Sequence, residues 1–161
     1  MNRDRLIELL GEVKSGATSI EKATEDLAQL PFVSVDSANI DTHRELRTGM
    51  PEVVFGQGKT VDEIVQITQK IVEAHGNALI TRLSQEAAAK LVEAYPNHRY
   101  LERSKIIWIN PNPESEGFDI DSEDYVAVVS AGTSDIPVAD EAALTVQACN
   151  KSVKKVYDCG I

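Results

Sequence analysis

The segment that decides the fold runs from Tyr125 to Cys149 and reads YVAVVSAGTSDIPVADEAALTVQAC. An apolar strand is followed by a Gly-Thr-Ser-Asp turn and then by a helix with a proline in its first turn. A second strand is predicted at Val153–Tyr157, so the segment forms one β-α-β unit whose strands are parallel neighbours. YVAVVSA is apolar almost throughout, which is typical of a parallel strand that is covered on both faces.

The turn Gly132–Asp135 falls where open α/β sheets bind ligands, at the carboxyl end of a strand and the amino end of a helix. Gly132 lets a ligand approach the backbone, and the hydroxyls of Thr133 and Ser134 favour a phosphate or carboxylate beside the helix amides. Asp135 either caps the helix or holds a proton or hydroxyl of the ligand. The same residues are also an ordinary helix start, because serine and aspartate are preferred caps.

Upstream of this unit the sequence predicts a helical hairpin followed by a small α/β domain. The hairpin has two amphipathic helices, and the domain alternates strands with helices. A β-α-β unit of this size cannot cover its own sheet, so it either packs on the first domain or is continued by further chain after Ile161, and we expect the second. The predicted domains are the hairpin at 1–30, the α/β domain at 31–110, an acidic, proline-containing linker at 111–124 and the start of a parallel-sheet domain at 125–161.

Within the α/β domain the clearest local signals surround one helix. Thr60 and Glu63 have the spacing of a capping box, and Gly76 follows the last periodic apolar residue, so a helix is predicted between them. The stretch between the first two strands is predicted to be irregular. The other predicted elements are strands at Phe32–Val35, Glu52–Phe55, Asn77–Leu83 and Arg103–Asn110, and an alanine-rich helix at Ser84–Glu93.

Composition excludes several classes of function. The net charge of −10, from 16 basic and 26 acidic residues, argues against a nucleic acid partner. No apolar run approaches the roughly 20 residues of a membrane span, and the charged amino terminus is not a signal peptide, so a cytoplasmic protein without a membrane partner is predicted.

Cys149 and Cys159 are interpreted as buried free thiols of a reducing compartment. No set of metal ligands is predicted.

Two separated segments carry a resemblance to a known family. AGTSDIPVADEAA, residues 131–143, resembles the turn of PurE-type aminoimidazole ribonucleotide carboxylases and mutases, and more closely that of the LarB family. DTHRELRTGMPEVVFGQGKT, residues 41–60, resembles the amino-terminal signature of LarB proteins, and ALITRLS, residues 78–84, is similar to the strand that follows. The resemblance covers essentially the whole chain.

The LarB resemblance implies a fold and an activity. The implied fold is an amino-terminal domain followed by a PurE-like, flavodoxin-like α/β domain, of which this chain would hold the first β-α-β unit. The implied activity is the first step of nickel-pincer cofactor synthesis, in which nicotinic acid adenine dinucleotide is carboxylated on its pyridinium ring by CO2 or bicarbonate and hydrolysed to release AMP. It would belong to a full-length protein, a homo-octamer, and the present chain would be an inactive fragment. No cofactor is predicted, and a role for Mg²⁺ is left open.

The resemblance also implies roles for individual residues. Ser134 and Asp135 match the serine and aspartate that hold the substrate, and Gly132 and Thr133 would lend backbone and hydroxyl groups to the same site. The family's nucleophilic cysteine lies in a stretch that this sequence does not show. For the basic residues the alternative is a solvated surface ion pair. The candidate ligands for the phosphates of the dinucleotide are Arg44, Arg47, Lys59 and Arg82.

Two other functions stay open at this point. One is a PurE-type carboxylase or mutase of purine biosynthesis, against which the long amino-terminal region and the TSDIP sequence of the turn argue. The other is a non-catalytic nucleotide-binding or regulatory module. A later cysteine in the reading frame and turnover of nicotinic acid adenine dinucleotide would separate the LarB function from both.

Overall fold

The structure is a computed structural model, and it describes residues 3–28, 32–35, 38–41, 44, 50, 52–111 and 124–160. The described part is mixed α/β, as predicted, with a helical hairpin, a small sheet and a β-α-β unit. No helix in these ranges has the length and apolarity to cross a membrane. The predicted domain boundaries stay predictions, since most of the 111–124 linker lies outside the described residues.

The helical hairpin consists of α1 (Arg3–Ser15) and α2 (Ile20–Ala28). The Ser19 hydroxyl accepts a hydrogen bond from the Lys22 N–H at 3.1 Å and so caps α2. Leu9 and Ala23 are buried, whereas Ile20 stays 69% exposed. The two helices therefore cover each other only in part.

The first strand, β1 (Phe32–Val35), pairs antiparallel with β2 (Ala38–Asp41), with Phe32 opposite Asp41. The sequence predicts β1 and an irregular stretch after it, and the second prediction is wrong for residues 38–41. Ala-Asn-Ile-Asp has little intrinsic strand preference, so its pairing with β1 decides its conformation.

The central sheet has the strand order β3-β4-β6-β5. β3 and β4 are parallel, whereas β6 is antiparallel to both β4 and β5. The sequence does not predict β5, because His-Arg-Tyr-Leu does not alternate apolar with polar residues. Its strand conformation is determined by its antiparallel pairing with β6. The strands are β3 (Val53–Phe55), β4 (Ala78–Thr81), β5 (His98–Leu101) and β6 (Ile106–Ile109).

Two helices cover one face of this sheet, α3 (Val61–His75) and α4 (Gln85–Ala94). The predicted capping box of α3 is confirmed: the Thr60 N–H donates to Glu63 Oε2 at 2.7 Å, and the Glu63 N–H donates to Thr60 Oγ1 at 3.3 Å. Gly76 ends α3 in the left-handed conformation, with φ of 81°. The main core lies between these helices and the sheet and includes Ile64, Ile71, Ile80, Leu91, Ile107 and Ile109.

The predicted β-α-β unit is confirmed as β7 (Val126–Val129), α5 (Ile136–Ala148) and β8 (Val153–Val156). The strands are parallel, with Val126 opposite Val153. Helix α5 also packs on the second face of the central sheet, where Leu144 joins a buried cluster with Leu79, Ile106 and Trp108. The unit is therefore fixed to the amino-terminal sheet through the helix between its strands.

Two predictions of burial in this unit are wrong. The side chain of Val129 is 62% exposed and that of Val126 is 46% exposed, although the strand sequence suggested cover on both faces. Cys149 is only half-buried and Cys159 is exposed, and neither forms a disulfide. Helix α5 covers one side of the β7–β8 pair and nothing in the described chain covers the other, which leaves the strand more exposed than its apolar sequence predicts.

Candidate functional site

Both strands of the β-α-β unit end beside the Gly132–Asp135 turn. The Ser130 N–H donates to Val156 O at 3.0 Å, at the end of the paired strands. Beyond β8 the chain continues along the turn, where the N–H groups of Cys159 and Gly160 donate to the carbonyls of Ser130 and Ala131 at 3.2 and 3.0 Å. Carboxyl strand ends and the amino end of α5 thus meet at one corner, where α/β sheets bind ligands.

Asp135 occupies the N-cap position of α5, but its carboxylate makes no capping hydrogen bond. Instead Asp135 Oδ2 accepts a long bond of 3.4 Å from the Gly132 N–H. A helix cap, one of the two roles predicted for this side chain, is therefore wrong. The carboxylate is exposed and keeps acceptor capacity for a ligand hydroxyl.

The amino end of α5 offers fewer free amides than the sequence predicts. The N–H groups of Val138 and Ala139 both donate to Asp135 O at 3.0 Å, and Pro137 has no N–H. The positive end of the dipole of this 13-residue helix still faces the corner. Helix α5 therefore favours an anion mainly through the electric field of its dipole and only to a small extent through hydrogen bonds from its N–H groups.

A cavity of about 440 Å³ opens at this corner and is called the apolar cavity here. Ser130 is only 7% exposed, and its hydroxyl has no hydrogen-bond partner among the described residues. Buried polar groups are nearly always hydrogen-bonded, so an unpaired hydroxyl on a cavity wall is suited to a ligand. Apolar walls with a few polar groups are typical of small-molecule sites. The lining residues are Val128, Val129, Ser130, Ala131, Asp135, Val138, Ala139 and Ala142.

Of the four residues predicted in the turn, Asp135 lines the apolar cavity. Gly132, Thr133 and Ser134 lie in the turn beside it, and the Thr133 carbonyl accepts a hydrogen bond of 2.6 Å from Arg103 Nη2 in the turn between β5 and β6. Sequence reasoning missed Ser130. Its only signal was a polar residue at the end of an apolar strand.

A second cavity, of about 400 Å³, lies at the carboxyl ends of β3 and β4 and is called the basic cavity. It brings together Lys59 and Arg82, both predicted as phosphate ligands, and adds Lys105, which the sequence analysis missed. No local sequence pattern indicates that Lys105 belongs to this site, because the β5–β6 hairpin brings it to the cavity. The lining residues are Gly56, Gln57, Gly58, Lys59, Arg82, Leu83, Ser84 and Lys105.

The other two predicted phosphate ligands are not brought to either cavity. Arg44 is exposed, and its Nε lies 4.0 Å from Glu52 Oε2. Arg47 lies outside the described residues, so its predicted role stays a prediction. Across the described ranges no group of three or more histidine, cysteine, aspartate or glutamate side chains could hold a metal ion.

A polar network joins α5 to the central sheet and to β8. Asp140 accepts hydrogen bonds from the hydroxyls of Ser104 at 3.0 Å and Tyr157 at 3.1 Å, and Lys155 Nζ lies 3.8 Å from it. Burial raises the pKa of the Tyr157 phenol, and the Asp140 carboxylate raises it further. Burial also lowers the pKa of Lys155, against the opposing effect of Asp140. The network therefore holds the corner in place.

Comparisons with known proteins give a family and a relative for the chain. Residues 32–112, half of the chain, match the family described as the LarB/PurE-like N-terminal domain. An uncharacterized protein of Methanocaldococcus jannaschii is 32% identical over 163 residues, an alignment that covers 97% of this chain. The chain spans 62% of the length of that curated relative.

Proposed function

The chain belongs to the LarB/PurE-like N-terminal domain family, and on that premise we propose that its protein acts in nickel-pincer cofactor synthesis. The proposed reaction is carboxylation of the pyridinium ring of nicotinic acid adenine dinucleotide by CO2 or bicarbonate, with hydrolysis of the phosphoanhydride to release AMP. The whole protein would work as a homo-oligomer in the cytoplasm. A second candidate, aminoimidazole ribonucleotide carboxylation, is kept as an outcome of the test.

The observation that carries this proposal is the apolar cavity beside the Gly132–Asp135 turn. Its valine and alanine walls suit a flat ring, and the unpaired Ser130 hydroxyl and the Asp135 carboxylate suit hydroxyl groups of a nucleotide. The positive end of α5 favours a carboxylate or phosphate. One ligand that carries a ring, hydroxyls and an anionic group fits all of these.

The chemistry needs more than this corner. A pyridinium ring is electron-poor and does not attack CO2, so a nucleophile must first add to the ring and form an electron-rich dihydropyridine. After attack on CO2, loss of the ring proton and departure of the nucleophile restore the aromatic ring. We assign this nucleophile to neither cysteine of the chain, because neither lies in a sequence motif that matches the family's cysteine. Cys149 also ends α5, where the helix dipole disfavours a thiolate.

The residues of the turn are proposed to hold the substrate during these steps. Ser134 and Asp135 would bind and orient it, and Gly132 and Thr133 would complete the contact surface. Substitution of Asp135→Asn or Ser134→Ala should lower kcat/KM by about 10-fold to 100-fold, because a hydrogen bond to a charged group contributes about 1.5–3 kcal/mol. Glu93→Gln, which removes an exposed carboxylate of α4, is the matched control and should leave kcat/KM unchanged.

The test is incubation of the complete protein with nicotinic acid adenine dinucleotide and isotopically labelled bicarbonate. We expect release of AMP and transfer of label to the pyridine product, both followed by chromatography with mass spectrometry. Turnover of aminoimidazole ribonucleotide instead would support the PurE-type alternative. Binding of the dinucleotide without either product would overturn catalysis in favour of a binding module.

A further inference from the structure

We propose that the basic cavity is a second anion site, separate from the apolar cavity, and that it binds the phosphate groups of a small molecule. Its three cationic residues are Lys59, Arg82 and Lys105. The proposal concerns binding alone and does not depend on the carboxylation reaction.

The charge of the cavity is opposite to that of the chain. Three of its eight lining residues are cationic and none is acidic, whereas the protein carries a net charge of −10. The Lys105 ammonium has no hydrogen bond or ion pair within the described part of the chain, and Lys59 Nζ bonds only to the Phe55 carbonyl, at 2.8 Å. Two positive charges therefore face the cavity without a carboxylate partner, which favours an anion there.

Two of the three cationic residues have a backbone conformation that is unfavourable for their residue types. Arg82 and Lys105 both have left-handed backbones, with φ of 55° and 53°. The Leu83 N–H donates to Lys105 O at 2.9 Å, which ties the two segments to each other. Neither residue is of a type that favours this region, and such conformations concentrate at functional sites.

Gly56 allows the turn that carries Lys59 to approach Arg82. A Cβ atom at position 56 would lie 2.9 Å from Thr81 O and 3.2 Å from Arg82 O, both backbone atoms that cannot move aside easily. The Gly56 N–H donates to Thr81 O at 2.8 Å across this contact. Only glycine permits so close an approach, and Gly56 itself lines the cavity.

The amino end of helix α4 lies at the wall of the cavity. Ser84, which lines the cavity, is the N-cap of α4, and its hydroxyl accepts a hydrogen bond from the Ala87 N–H at 3.2 Å. The positive end of the helix dipole therefore adds to the three cations in favouring an anion.

Arg82 is held at the rim by Glu141 of α5. Its Nε lies 2.7 Å from Glu141 Oε2 and its Nη2 lies 3.5 Å from Oε1, so the other guanidinium N–H donors stay available. The carboxylate competes with a bound anion for Arg82. Substitution of Glu141→Gln should therefore tighten anion binding.

The size and charge of the cavity indicate the ligand class. A volume of about 400 Å³ accommodates more than a single phosphate, and three cations match a diphosphate group better than a monophosphate. We therefore expect inorganic diphosphate to bind more tightly than AMP, and AMP more tightly than inorganic phosphate.

The experiment is isothermal titration calorimetry of the full chain with these three probes at low ionic strength. We expect Lys105→Asn to weaken diphosphate binding about tenfold, because one charged hydrogen-bond donor is lost. Asparagine is chosen because it tolerates the left-handed backbone. Arg82→Lys should also weaken binding, since lysine keeps the charge but loses the planar guanidinium. Lys90→Gln removes the same charge from α4 outside the cavity and should leave the affinity within about twofold.

Two results would overturn the proposal. One is the absence of saturable diphosphate binding by the wild-type chain. The other is equal weakening by Lys90→Gln and Lys105→Asn, which would indicate a general charge effect. Ser130→Ala at the apolar cavity should not change diphosphate affinity. Diphosphate binding therefore tests the basic cavity alone, and its result can be told apart from the result of the AMP-release assay, which tests the carboxylation reaction. Circular dichroism melting curves confirm that each variant is folded.

Discussion

Strands β6 and β7 have similar apolar sequences but opposite surroundings. Ile106, Ile107 and Ile109 of β6 are all completely buried, whereas Val126 and Val129 of β7 are 46% and 62% exposed. Sequence alone does not separate Ile-Ile-Trp-Ile from Val-Ala-Val-Val in this respect. The difference comes from what lies on each face of the two strands.

The central sheet has cover on both faces, and the β7–β8 pair has cover on one. Alternate residues of β6 point to opposite faces, so Ile107 packs against α3 and α4 while Ile106 packs against α5. Helix α5 also contacts β7 and β8, and thus lies between the two sheets. An apolar strand predicts that cover is needed. It does not predict which segment supplies it.

The largest effect expected from this comparison is that of Trp108→Ala in the covered sheet. It should lower the free energy of unfolding by about 3–5 kcal/mol, because removal of a buried aromatic side chain leaves a cavity. The paired substitution Val129→Ala in β7 should change it by less than about 0.5 kcal/mol. Urea denaturation followed by circular dichroism measures both values.

Equal losses in the two variants would contradict the comparison, since they would mean that β7 is buried in solution. A loss for Val129→Ala that appears only at high protein concentration would point to association through the exposed face. Sedimentation velocity at the same concentrations distinguishes these two cases.

A smaller effect is expected at the polar contacts between the two regions. Asp140→Ala should cost about 1–3 kcal/mol, because the hydroxyls of Ser104 and Tyr157 lose their acceptor in a half-buried position. Hydrogen exchange should increase in α5 and β8 more than in β4. Asp62→Ala, at an exposed carboxylate of α3, is the control. Uniform acceleration across the chain would contradict a local role for Asp140.

The sequence predicted those elements whose signals are local. The capping box at Thr60 and Glu63, the left-handed end at Gly76 and the β-α-β unit all depend on residues close together in the chain, and all are confirmed. Strands β2 and β5 were missed because a partner strand sets their conformation. Burial of β7 was wrongly predicted for the same reason, since cover is a tertiary property.

In the candidate site, too, the features with local sequence signals could be predicted and those that depend on tertiary structure could not. The position of the Gly132–Asp135 turn followed from strand and helix signals, whereas the detail of its hydrogen bonds did not. The chemistry of Lys59 and Arg82 makes them candidate phosphate ligands, and both line one cavity. Lys105 could not be found, because its place depends on the hairpin between β5 and β6 and on a left-handed backbone.

A still smaller effect, confined to the covered region, is expected from Thr60→Ala. Loss of the capping bond to the Glu63 N–H should lower the free energy of unfolding by about 1 kcal/mol. Thr60→Ser keeps a capping hydroxyl and should restore most of that loss. Thermal denaturation of the three proteins gives the comparison. If serine were no better than alanine, the hydroxyl would not be the stabilising group.

The smallest effect concerns alkaline pH at the contact between the two regions. Burial raises the pKa of Tyr157 in the folded state, so the unfolded chain releases this proton first, near pH 10. The stabilising contribution is complete below that pH and is lost as the pH rises above it. Tyr157→Phe should therefore flatten the decline of stability between about pH 10 and 11. Denaturation curves at pH 9, 10 and 11 measure the slope, and a slope equal to that of the unsubstituted protein would mean that the Tyr157 phenol is not buried against α5.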